Sequence, residues 1–264
     1  MSSNKPTILG AIAGDVIGSI YEVHNVRSTA FPLFTEGSDF TDDTVLTVAV
    51  ADAILNSKDF GEVIWQYGRR HKNRGYGGMF IRWLQQRNPK PYNSYGNGSA
   101  MRVSSVGFAC KTMEEVLDMA ARTAEVTHNH PEGIKGAQAT AAAVFLAKIS
   151  TEKDDIRDYL KLRFGYDLDF TLDSIRQRYE FNATCQGSVP QAIVAFMESE
   201  DFEDAIRLAI SIGGDSDTIA CIAGSIAAAY YKHIPEEIAD QVLDRLPPDF
   251  IEIMERFDEA YSSP

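Results

Sequence analysis

Cysteine is scarce in this 264-residue chain: Cys110, Cys185 and Cys221 are an odd number, stand far apart and form no C-x-x-C pair. That argues against a disulfide framework and fits reduced thiols in a cytoplasmic setting. Long apolar runs are also missing. The best one, Thr218 to Tyr231, stops at Lys232 after 14 uncharged positions, short of the roughly 20 a membrane helix needs, and because Asp15 interrupts the N-terminal apolar stretch a cleaved signal is not expected there. Basic residues are outnumbered, with 25 Lys and Arg against 38 Asp and Glu. A formal charge of −13 repels polyphosphates, so nucleic acid is not an expected partner. Alternating Val, Ile and Thr runs bounded by turns are few, and no Pro-, Ser- or charge-biased linker divides the chain. Residues 1–264 are therefore read as one all-α domain.

Apolar residues recur at helical spacing over Ile8–Ile20, Thr44–Leu55, Glu62–Arg70, Met113–Val126, Glu132–Lys148, Val189–Glu198, Phe202–Ile212, Thr218–Tyr231 and Glu236–Leu246. In the first of these, Gly10, Gly14 and Gly18 lie four apart on one face, where a missing side chain admits another backbone. Small residues also dominate Ala137–Ala143 and Ala223–Ala229, so the central helices should cross at close range. Two stretches rich in Gly, Asn, Pro and Tyr, Arg69–Gly78 and Asn88–Ser99, read as loops that carry binding groups. Residues 151–179 mix both charge signs with aromatics and read as a peripheral helical insertion.

Two helix starts are unusually acidic. Thr41-Asp42-Asp43-Thr44 opens one helix and Asp215-Ser216-Asp217-Thr218 another. One side-chain cap per helix, worth roughly 1 kcal/mol, would suffice; two acids at each start repel one another and call for a compensating cation. Carboxylate and hydroxyl oxygens are hard donors suited to Mg²⁺, Mn²⁺ or Ca²⁺, whereas zinc would recruit the His or Cys that both clusters lack. Four converging carboxylates make room for one cation or for two, and two would orient an attacking water and a leaving oxygen together.

The segment Ser94-Tyr95-Gly96-Asn97-Gly98-Ser99 packs small residues and amides ahead of Ala100-Met101-Arg102, and such a loop can turn backbone N–H groups toward an anion. A tight turn without a ligand is the equal alternative. His128 and His130 flank Asn129 just before Pro131, which suits a first helical position. His128 is placed to donate to a phosphate, while His130 is read as a helix cap.

In this order, Gly14-Asp15-Val16-Ile17-Gly18 with Glu22, Phe40 to Thr44, Tyr95 to Arg102, Thr127-His128 and Gly213 to Thr218 resemble the motifs of the ADP-ribosylglycohydrolases. The resemblance runs through nearly the whole chain. It implies a compact orthogonal multi-helix bundle with a binuclear Mg²⁺ or Mn²⁺ centre in a cleft, and hydrolysis of the bond between ADP-ribose and an acceptor on a protein or a small conjugate. It also implies roles: Thr41, Asp42, Asp43, Asp215, Asp217 and Thr218 for the metals, and Ser94 to Ser99 with His128 for the ligand. Glu22 would be the acid that closes over the metals and handles the proton, with Asp43 counted beside it as catalytic. Arginine-specific members carry an acid in the preceding loop, where this chain reads Arg74-Gly75-Tyr76-Gly77-Gly78-Met79-Phe80, which leaves the acceptor open. A two-metal phosphoesterase acting on a nucleotide diphosphate and a non-catalytic ADP-ribose-binding protein are the competing functions, and a monomer or weak homo-oligomer is expected.

Overall fold

The computed structural model describes residues 7–149 and 152–262. In chain order the helices are α1 Leu9–Val23, α2 Asp42–Leu55, α3 Phe60–Arg70, α4 Gly78–Leu84, α5 Gly98–Met101, α6 Ser104–Ala109, α7 Met113–Glu125, α8 Pro131–Lys148, α9 Lys153–Phe164, α10 Leu172–Arg176, α11 Cys185–Glu198, α12 Phe202–Ser211, α13 Ser216–Tyr231, α14 Glu236–Leu243 and α15 Pro248–Tyr261. The all-α expectation holds: among the described residues only an isolated antiparallel bridge, Gly96 with Thr184, departs from it.

Each expected helix is present, with ends displaced by a few residues. The largest displacement is at α11, which begins at Cys185 rather than Val189 because the Thr184 hydroxyl accepts from Gly187 N at 3.1 Å and starts the helix a turn before Pro190. Short α4, α5 and α6 and the C-terminal α15 were not anticipated. Of the expected insertion, Thr151 lies outside the described residues; beyond it α9 packs on α8, burying Ile156, Leu160 and Phe164 and leaving Leu162 exposed.

α1 and α13 form the centre of the bundle, and the glycine ladder explains why. They run antiparallel, so that Gly10 faces Gly224 and Ala228, Gly14 faces Ala220 and Cys221, and Gly18 faces Asp217. A β-carbon at Gly14 would stand 2.6 Å from Cys221 N and closer still to the Ala220 carbonyl, and one at Gly18 would stand 2.5 Å from Asp217 Cα. No flexible side chain could yield at either point. The Ala-rich α8 packs against α13 from the far side. This close approach sets the function as well as the core, because it lays the C-terminal half of α1 against the acidic start of α13.

Gly14→Ala is accordingly expected to destabilise the protein by about 3 kcal/mol, the upper end of the usual cost of overpacking, since backbone must move to admit the methyl group. Urea denaturation of the purified variant measures it. A cost under ~0.5 kcal/mol would mean that the helices are less closely apposed than described.

Candidate active site

Three chain segments meet at one point: the second half of α1, the start of α2 and the start of α13. Asp15, fully buried on α1, joins the first two. Its Oδ2 accepts from Thr41 N at 2.9 Å, Thr44 N at 3.0 Å and Thr44 Oγ1 at 2.5 Å, and its Oδ1 accepts from Thr41 Oγ1 at 2.6 Å. A carboxylate on one helix thereby satisfies the orphan donors at the start of another. Thr41 itself caps α2, its hydroxyl accepting from Asp43 N at 3.3 Å. With capping done by Asp15 and Thr41, Asp42 and Asp43 are surplus to it. At α13 the cap position, Asp215, makes no side-chain cap bond at all.

The start of α13 is reached through Gly213 and Gly214, whose φ angles of 65° and 77° are readily open only to glycine. Asn25 holds the turn, accepting from Gly214 N at 2.6 Å and donating to Gly214 O at 3.2 Å and to Tyr21 O at 2.6 Å. Arg27 donates to the Ile212, Arg176 and Tyr179 carbonyls. The segment following α1 therefore also fixes the second acid cluster.

Two groups of carboxylates result, Asp15 with Asp43 and Asp217, and Glu22 with Asp215 and Asp217, each with an oxygen from every member within 4.8 Å of the others. Asp217 belongs to both. Asp15 spends its oxygens on the start of α2, so Asp43 and Asp217 are the freer donors of the inner group. Asp43 Oδ1 is buried and has no hydrogen-bond partner, while its Oδ2 accepts from Thr218 Oγ1 at 3.3 Å. Burial first, and the neighbouring carboxylates second, push Asp42, Asp43 and Asp217 well above the ordinary carboxylate range. Burial, reinforced by Asp215 and Asp15, also raises Glu22, and burial raises Asp15 and Asp215 against their hydrogen bonds. An orphaned buried oxygen amid hard donors that form no ion pair among the described residues suits a divalent cation.

The direction of these shifts predicts a pH dependence. Groups raised in the folded state stabilise it below the unfolded carboxylate value of about 3.9 and cease to do so as pH climbs through their folded values. Cation-free protein is expected to lose stability from about pH 4 upward, and added Mg²⁺ or Mn²⁺ to restore it by an increment that grows with pH, because binding displaces protons. Thermal melts between pH 4 and 8, with chelator and with cation, measure this. A pH-independent increment would contradict it.

The acids open onto a cleft of about 530 Å³ that Gly75, Gly77 to Phe80, Ser94, Gly96 to Gly98, His128, Phe181 and Ala183 also line. Glu22, Asp42, Asp43, Asp215, Asp217 and Thr218 all line it, and so do Ser94, Gly96, Asn97, Gly98 and His128. Thr41, Tyr95 and Ser99 do not. Thr41 is engaged with Asp15. Ser99 is fully buried and donates to Gly133 O at 2.7 Å, and Tyr95, half exposed, packs against His130 with ring centroids 5.2 Å apart.

The Gly–Asn loop is braced more than free. Gly96 N donates to Ser94 Oγ at 3.1 Å and Asn97 N to Ala183 O at 2.9 Å, so those two donors are already used. The Asn97 amide donates to Asp215 Oδ2 at 2.7 Å and to Ser188 Oγ at 2.9 Å, tying the loop to the second acid cluster. His130 caps α8, its Nδ1 accepting from Glu132 N at 3.1 Å, as its place before Pro131 suggested. Sequence reasoning missed the structural part of Asp15, and it missed Tyr92, Arg102 and Phe181 in the cleft wall. Asp15 had one available signal, an acid inside a glycine-spaced apolar helix.

A sequence model of the ADP-ribosylglycohydrolases matches residues 5–263. The chain belongs to the ADP-ribosylglycohydrolase family. It is 28% identical to ADP-ribosylhydrolase ARH3 of Homo sapiens over 89% of this chain and 88% of that protein. It is 23% identical to ADP-ribosylarginine hydrolase Tri1 of Pseudomonas putida over 92% and 78%. A solved structure described as an ADP-ribosylglycohydrolase-related protein complex superposes with a TM-score of 0.72 at 23% identity, covering 98% of this chain and 99% of that one. That likeness extends the ADP-ribosylglycohydrolase fold over the full bundle.

Proposed function

We propose that this chain is a metal-dependent hydrolase that cleaves the glycosidic bond between ADP-ribose and an acceptor. The observation that carries the reading is the convergence, in one cleft of a chain of this family, of paired acids surplus to capping with the Gly–Asn loop and His128. Asp42, Asp43, Asp215, Asp217 and Thr218, which line the cleft, would hold two Mg²⁺ or Mn²⁺ ions, whereas Thr41 is taken up by Asp15 and the α2 cap; such ions would supply Lewis-acid charge to oxygens of the reacting sugar. Asp15 acts behind them, holding the start of α2 in place. Glu22 stands at the cleft with a raised pKa and without a side-chain hydrogen bond among those described, which suits a group that gives and takes a proton. Ser94, Gly96 to Gly98 and His128 hold the diphosphate side, where local donors offset a net charge of −13.

We assign the acceptor side to Gly75 and Gly77 to Phe80, a segment with no acid of its own to receive a guanidinium; Asp42, whose Oδ1 would lie 3.1 Å from a β-carbon on Gly75, is committed to the metals in this reading. O-linked ADP-ribose, as a serine glycoside or an O-acyl ester, is therefore expected to be turned over faster than arginine-linked ADP-ribose. A panel of the three substrates with Mg²⁺ and Mn²⁺ tests this. Release of ADP-ribose with an intact diphosphate supports the glycosidase, whereas AMP as product would establish a phosphoesterase and no turnover a binding protein. At 100-fold excess over Kd, ADP-ribose should also stabilise the fold by about 2.7 kcal/mol, which free ribose should not. Three buried, unpaired thiols suit a reducing compartment, and we place the enzyme in the cytoplasm; no described helix is long and apolar enough to cross a membrane.

A further inference from the structure

Arg102 is fully buried in the wall beneath the Gly–Asn loop. Its Nη2 donates one hydrogen to Thr123 O at 2.7 Å and the other to Thr127 Oγ1 at 2.9 Å, while Nε and Nη1 have no partner. A guanidinium can only donate, so Thr127 Oγ1 must accept. Among the described residues one acceptor stands ready for the hydroxyl's own hydrogen, His128 Nδ1, 2.7 Å away. Were Nδ1 protonated instead, two donors would converge on one hydroxyl and its hydrogen would be stranded in a buried site, which is costly. Nδ1 as acceptor leaves the proton of a neutral ring on Nε2. Burial, aided by the Arg102 charge, keeps that ring neutral by pulling its pKa well below the usual imidazole value.

Nε2 lies against the ligand loop. A β-carbon on Gly98 would stand 3.1 Å from it and one on Gly96 3.5 Å, and both glycines line the cleft. Among the described residues it makes no hydrogen bond. We propose that Arg102 and Thr127 are positioning residues that hold His128 in its Nε2–H tautomer, so that the ring presents a preset donor to a phosphate oxygen of the ligand. The chain Arg102–Thr127–His128 reads in one direction only, because its first member cannot accept. The phosphate rests on the ADP-ribose reading above; the tautomer does not.

The test is nitrogen NMR of the full-length protein labelled with ¹⁵N-histidine, the His128 signals being assigned by substitution. In the ligand-free wild type, Nδ1 should resonate as an unprotonated ring nitrogen and Nε2 as a protonated one, and ADP-ribose should shift Nε2. Thr127→Val, which keeps the shape and removes the hydroxyl, should lose the tautomer preference and weaken ADP-ribose binding about tenfold, the scale of one hydrogen bond, with KM rising more than kcat falls. Thr127→Ser should restore all of these. A protonated Nδ1 in the wild type, or an unchanged tautomer in Thr127→Val, would overturn the proposal whatever the protein hydrolyses. ADP-ribose bound without a shift at Nε2 would overturn the donor role while leaving the enzyme's function intact. Failure of the wild type to bind ADP-ribose at all would overturn the functional reading and the phosphate with it, and the ligand-free spectrum tells that failure from the first.

Discussion

Exchange of Asp217 for asparagine is expected to lower hydrolysis by more than about 10³-fold, beyond the 10²–10³ typical of removing one electrostatic donor, while making the cation-free protein more stable. Both effects follow from one fact. Asp217 is the member shared by the two carboxylate groups, and it is buried against Asp215, Asp43, Glu22 and Asp15, which all raise its pKa further. Without a cation its charge is a burden, so a neutral isostere relieves repulsion; with cations its loss removes an oxygen from both groups at once. Asp43→Asn should act in the same direction, because Asp43 Oδ1 has no protein partner to lose. Turnover, bound metal and melting temperature with and without Mg²⁺, on one preparation, separate these effects. A purely structural acid would give the opposite pattern, a less stable variant with normal metal content and normal turnover, and full activity in chelator-treated buffer would remove the metals from the argument.

How much of this was legible beforehand depended on range. Gly10, Gly14 and Gly18 announce a close helix contact by their spacing alone, and the structure supplies the partner, α13. The two acid pairs stand out because each exceeds what a local cap requires. Other features are invisible because their meaning lies far along the chain. Asp15 looks like a flaw in an apolar helix until Thr41 and Thr44, 26 and 29 residues away, close around it. Asn97 looks like a ligand-facing amide, and nothing local shows that the same amide also holds Asp215, 118 residues on. Ser99 and Tyr95 belong to the right motif yet miss the cleft, since a six-residue run that turns into α5 cannot aim every side chain at one side. Local pattern thus indicates which chemistry is present, and tertiary packing decides which member of a motif faces it.

Glu22→Gln separates proton handling from metal holding. Glu22 lies one residue before the end of α1, in neither acidic helix start, and reaches the cleft beside Asp215 and Asp217. Glutamine keeps its size and loses the titratable proton, so turnover should fall about 10²–10⁴-fold, the usual contribution of a general acid–base. Metal occupancy and ADP-ribose affinity should change far less, because Asp43, Asp215, Asp217 and the Gly–Asn loop persist. A second signature follows from the same role: the wild-type kcat profile should show a limb that belongs to Glu22, and that limb should vanish in the variant. Near-native kcat would assign the proton to water or to another acid. Loss of metal from Glu22→Gln would make Glu22 a ligand first, completing with Asp215 and Asp217 the outer of the two carboxylate groups.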